Sequence, residues 1–159
     1  MATRAIPPHP DVVNAEMFIA APPDRVFQAI TDPRQLPQWW GNRGMYRITK
    51  LESDLRVHGK WMTSGVSPTG DPFSVSGEYL EIDPPQLLVQ TWIASYMGSL
   101  VTVVRWELIA RNNGTLLKIT HSGFAGNTEA ARNHEEGWKR VLGWVHGFAE
   151  KGETIDTRP

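Results

Sequence analysis

The chain has 159 residues, with 16 Lys and Arg against 17 Asp and Glu, and a formal net charge of −1. One domain of this length buries roughly 70% of its unfolded surface, and scattered charge of this kind excludes the clustered basic face that nucleic acid or an anionic membrane requires. No cysteine is present, which excludes disulfides, thiolate catalysis and Cys-ligated zinc.

Residues 1–10 hold three prolines and no apolar run of the signal-peptide kind, and no later stretch approaches the ~18 apolar residues of a membrane span. A cytoplasmic protein is expected. Residues 1–10 read as a flexible tail, 11–152 as one ligand-binding domain and 153–159 as a polar tail. The seven Trp call for a bulky core or a lined cavity, because each indole needs a large apolar wall and a partner for its N–H.

In chain order, 12–19 alternates as a first strand, and Pro22-Pro23 supplies the fixed φ that suits the first turn of a helix bearing Val26, Phe27 and Ile30. Asp32-Pro33-Arg34-Gln35 then has the form of a capping box, with Asp32 as N-cap and Gln35 reaching back, for a short helix carrying Leu36, Trp39 and Trp40. From Met45 to Ser122 the period becomes two. Turn chemistries at 58–59, 67–70, 83–85, 97–99 and 112–114 separate six strands near 45–54, 59–65, 72–82, 87–95, 100–110 and 115–122, an antiparallel meander. Asn127 or Thr128 caps a long helix to about Lys151, with Gly152 at C′ and a stripe through Trp138, Val141, Leu142, Val145, Phe148 and Ala149. An α+β fold follows: about seven strands in a curved antiparallel sheet wrapped on a long C-terminal helix, with two short helices closing one end.

The blocks Ala20–Pro33, Gln38-Trp39-Trp40-Gly41, Asp54-Leu55-Arg56, Gly59-Lys60-Trp61, Gly77–Pro85 with Trp92, Thr120–Phe124 and Gly137-Trp138 stand in order along nearly the whole domain. Together they resemble the START-like (SRPBCC) superfamily, in its Hsp90-ATPase-activator-homologue branch. One departure is Arg56-Val57-His58-Gly59, where the family has Arg-Pro-Gly-Gly. The resemblance implies the helix-grip (START/Bet v 1-like) fold and an internal cavity between helix and sheet. Eukaryotic Hsp90 activators resemble this chain only in their second domain, and 159 residues leave no room for the first, so a co-chaperone role is not expected.

Strand parity indicates what faces that cavity. Outward Arg105 and Glu107 place Thr102, Val104, Trp106 and Leu108 inside, and outward Lys118 does the same for Leu117, Ile119 and His121. The expected ligand-binding set is Trp39, Trp40, Trp61, Trp92, Val104, Trp106, Ile119, His121, Phe124, Trp138, Val141, Leu142 and Val145. Core packing is the competing reading for each indole. His121 is the one polar group among them, an anchor or proton carrier on one reading and a histidine satisfied by the fold on the other. Glu78 and Glu81 flank Tyr79 and are read as sharing a face. Glu81 is a second catalytic candidate, with a salt bridge as its alternative.

His134-Glu135-Glu136 lacks the second His that a helical zinc site needs. No metal and no cofactor are expected, and no nucleophile elbow, phosphate loop or dinucleotide fingerprint is present. Three functions compete: binding or sequestration of a small hydrophobic molecule, aromatic or polyketide-like; a cyclase, isomerase or hydrolase acting on such a compound; and a protein-interaction module, marked by a filled cavity. The expected partner is the small ligand, without nucleic acid or membrane, and a homodimer is left open.

Overall fold

The computed structural model describes residues 11–158; the flexible tail expected at 1–10 lies outside the described residues. Strand β1 (Val12–Ile19) leads into helix α1 (Pro23–Thr31) and helix α2 (Leu36–Trp39). Strands β2 (Arg47–Ser53), β3 (Lys60–Val66), β4 (Pro72–Asp83), β5 (Leu87–Ala94), β6 (Thr102–Arg111) and β7 (Gly114–Ser122) follow, and helix α3 (Thr128–Lys151) closes the domain. A single turn of 3₁₀ helix, Ser95–Met97, links β5 to β6.

All seven strands form one antiparallel sheet in the order β1-β7-β6-β5-β4-β3-β2. The long meander therefore ends beside the first strand, and α3 packs most closely along β1. Parity holds as expected: Thr102, Val104, Trp106, Leu108, Leu117, Ile119 and His121 are all buried, whereas Arg105 and Glu107 pair with each other at 3.5 Å on the outer face. Asn127 caps α3 by accepting the Ala130 N–H at 3.0 Å, and Gly152 ends the helix at φ +70.

Two turns show how local chemistry sets the chain path. Asp32 caps the turn that enters α2: its carboxylate accepts the Arg34 N–H at 2.9 Å and its carbonyl accepts the Leu36 N–H at 3.1 Å, while its own N–H donates to the Gln28 carbonyl of α1 at 2.8 Å. The regular part of α2 begins after Gln35, whose side-chain amide reaches back to the Asp32 carboxylate at 3.1 Å, so the capping-box residues both close α1 and open α2. His58 takes φ +68, in the left-handed region that glycine favours. Its N–H donates to the Tyr79 carbonyl at 2.8 Å and its ring meets Glu78 at 3.0 Å, which hold the turn where the family has glycine.

The polar tail expected after Gly152 is, over its described residues, a docked segment. Ile155 is buried and its N–H donates to the Gln38 carbonyl at 2.8 Å. The Arg158 guanidinium donates to the carbonyls of Gly41 and Trp39 and lies over the Trp144 ring. These contacts satisfy carbonyls at the C-terminal end of α2 that the short helix itself leaves open. They fix the corner that carries Trp40.

Candidate functional site

A cavity of about 300 Å³ lies between the β2–β5 part of the sheet, α2 and the first half of α3. Its walls are mostly apolar: Ile48 and Leu51 on β2, Trp61 on β3, Val75 on β4, Trp92 on β5, Trp106 on β6, with Trp40 after α2 and Trp138 and Val141 on α3. Exposed Tyr96, Asn133 and Arg140 also line it and mark its mouth, between the 3₁₀ turn and α3.

Six of the thirteen residues expected at the ligand line this space: Trp40, Trp61, Trp92, Trp106, Trp138 and Val141. The other seven are buried in the solid part of the core. Trp39 faces away from the cavity and donates its indole N–H to the Ala29 carbonyl at 2.9 Å. Val104, Ile119, Leu142 and Val145 fill the packing beneath β6 and β7, and Phe124 packs against His121 with ring centroids 4.6 Å apart. Parity separates the concave from the convex face, but does not say where along the concave face helix and sheet separate.

His121 is the satisfied histidine, not the anchor. The Trp138 indole N–H donates to its Nδ1 at 3.0 Å, which leaves Nε2 to carry the proton. That Nε2–H donates to Thr102 Oγ1 at 2.7 Å, and the Thr102 hydroxyl donates in turn to the Trp92 carbonyl at 2.9 Å. Both ring nitrogens are consumed, and burial holds the pKa down to about 2. A neutral, fully bonded imidazole has no lone pair for a substrate and no proton to give.

Glu81 is also removed from the cavity. A bulge between Tyr79 and Glu81 brings Glu78 and Glu81 onto the same, outer face. There Glu81 lies 3.8 Å from Arg105, and Glu78 accepts from His58 and Lys60.

Other residues that line the cavity carry unpaired polar atoms. His134, one turn before Trp138, donates Nδ1–H to the Ala130 carbonyl at 2.8 Å, and its Nε2 has no partner among the described residues. Burial lowers its pKa, so the ring is neutral and that nitrogen is an acceptor. The buried indole N–H groups of Trp61 and Trp92 likewise have no partner among the described residues. Each such unpaired group costs about 1–3 kcal/mol. Tyr46 lines the mouth and accepts the Trp40 indole N–H at 3.3 Å, and burial raises its phenol above the usual value. In the sequence His134 reads only as half of an incomplete zinc motif, which gives it no place at a ligand. Its place one turn before inward Trp138 was the available signal.

The arrangement is an apolar box whose lining residues include several unpaired polar groups and, among the described residues, no carboxylate. Over residues 20–144 the chain matches the family described as Activator of Hsp90 ATPase homolog 1-like protein. It belongs to that family. No curated protein matches the sequence. Among solved structures, protein CV1439 from Chromobacterium violaceum is similar at 26% identity, covering 89% of this chain and 99% of its own, with TM-score 0.78. NE0264 from Nitrosomonas europaea is similar at 21% identity, 91% and 97% coverage and TM-score 0.73. DynU16, described as a putative protein in the dynemicin biosynthetic locus, is similar at 23% identity, TM-score 0.74, covering 91% of this chain and 49% of that one. Among the described residues of this AHSA1-like chain, no helix is long and apolar enough to cross a membrane.

Proposed function

We propose that this AHSA1-like domain binds a small, flat, largely apolar molecule in the cavity under β2–β5. The observation that carries the reading is a box of about 300 Å³ with five indoles in its walls, two of them with unpaired N–H groups. A volume at the lower end of ligand pockets suits a body of roughly two or three rings. The biosynthetic locus named for DynU16 supports an organic natural product as the type of occupant. An interaction module would have its cavity filled, and the open volume speaks against that alternative.

A second reading, chemistry on the bound molecule, has one observation in its favour: the unpaired, neutral Nε2 of His134, a residue that lines the cavity. No carboxylate orients that ring, since its other nitrogen is held by a backbone carbonyl. Binding is therefore the primary reading.

The test is a thermal-shift screen of two- and three-ring aromatics against the wild type and Val141→Trp, whose indole would occupy the cavity from α3. A ligand at 100 times its Kd adds about 2.7 kcal/mol, a rise of about 5–10 °C in Tm for a domain of this size. The rise should vanish in a folded Val141→Trp protein. Equal shifts in both proteins would place binding elsewhere.

A further inference from the structure

The polar atoms left open around the cavity differ with depth, and that difference describes an occupant. Gln90, buried on β5, accepts the Trp106 indole N–H on its Oε1 at 2.8 Å. Only the amide oxygen accepts, so this bond fixes which way the amide stands. Its NH₂ group then has no acceptor among the described residues, in a residue that lines the cavity. The lining residues Trp61 and Trp92 add two more unpaired donors, against the single unpaired acceptor of the lining residue His134. The group that matches them is a neutral acceptor such as a ring carbonyl, since an anion at that depth would lose its hydration.

The mouth has the opposite character. On the exposed side of α3, Lys139 is taken by Glu135 and Glu136 at 3.7 and 3.6 Å. Its neighbour Arg140 lines the cavity and has no carboxylate within ion-pair distance among the described residues. A planar guanidinium beside open water, with the Tyr46 hydroxyl on the same rim, is suited to a carboxylate.

We propose that the occupant is an aromatic keto-acid: a flat body among the indoles, a carbonyl oxygen at the Gln90 amide and a carboxylate at Arg140. This inference rests on the cavity-binding reading and adds polarity and direction to it. The acid end stays at the mouth, so the molecule enters ketone first.

Four compounds with one tricyclic body separate the two ideas: 9-fluorenone-2-carboxylic acid, fluorene-2-carboxylic acid, 9-fluorenone and fluorene. Affinities are read by calorimetry at fixed pH and salt. The keto-acid should bind about tenfold more tightly than either singly substituted compound, the return expected for one hydrogen bond or ion pair. Fluorene should be weakest. Arg140→Gln should weaken both acids about tenfold and leave the ketone and the hydrocarbon unchanged. Equal affinity for all four would overturn the keto-acid assignment and leave the cavity reading standing, whereas no binding of any of them would overturn both. Unchanged acid affinity in Arg140→Gln would overturn the carboxylate site, and equal binding of the two acids would overturn the carbonyl site.

Discussion

The two ends of the sheet meet the long helix in different ways. Beneath β1, β7 and β6, side chains from α3 and the sheet interlock, and even the polar ones close on each other, as His121 does between Trp138 and Thr102. Beneath β2–β5 the same helix stands off, the indoles line a void, and Trp61, Trp92 and His134 keep unmet polar atoms. One layer of a small domain thus supplies stability and the other leaves room. The unmet groups carry a cost that a folded protein tolerates only because the packed half offsets it.

The sharpest way to break this division is at Trp138, which stands on the boundary. Its indole contacts Trp40, Trp92 and Trp106 on one side and donates to His121 on the other. Trp138→Ala should cost about 3–5 kcal/mol in urea unfolding. A loss below 1 kcal/mol, on the order of a single surface change, would dissolve the boundary.

A matched pair of leucines compares the halves directly. Leu142→Ala, in the packed region, should cost about 3–5 kcal/mol, and Leu51→Ala, on the cavity wall, nearer 2, because its neighbours already lack partners on one side. Equal losses would mean that the two halves are packed alike.

A pH series probes the closed histidine. His121 has a pKa held down to about 2, from an ordinary 6.5, so between these values the unfolded chain binds a proton that the folded chain refuses. Stability is then full above about pH 6.5 and falls as pH drops, by about 1.4 kcal/mol per unit from this group. His121→Gln should remove one proton's worth of that slope between pH 6 and 4.5. An unchanged slope would show that His121 is not buried and neutral in the folded protein.

At the small end, Arg140→Gln should leave stability within about 0.5 kcal/mol of wild type, since the side chain is exposed and unpaired among the described residues. A larger loss, measured by the same urea titration, would give Arg140 a structural role.

Much of this was legible in the sequence. Alternation at Thr102–Leu108 and Leu117–His121 follows from local chemistry, because Arg105 and Glu107 pin the face of one strand and Lys118 that of the other. The same is true of the capped long helix. The void was not legible, because a side chain on the concave face looks the same whether the helix touches it or not. Trp40 and Trp39 are adjacent, yet one lines the cavity and the other is sealed onto Ala29. The docking of Ile155 and Arg158 was equally hidden, since a polar segment with a single Ile gives no periodic signal.

The most direct test of the account is a titration of ¹⁵N-labelled protein with 9-fluorenone-2-carboxylic acid, following the assigned indole N–H resonances. Saturable shifts are expected at Trp61 and Trp92, whose N–H groups are unpaired among the described residues, with a stationary Trp39, whose N–H is held by Ala29. Saturable shifts confined to Trp39 and Trp144, with Trp61 and Trp92 unmoved, would contradict it.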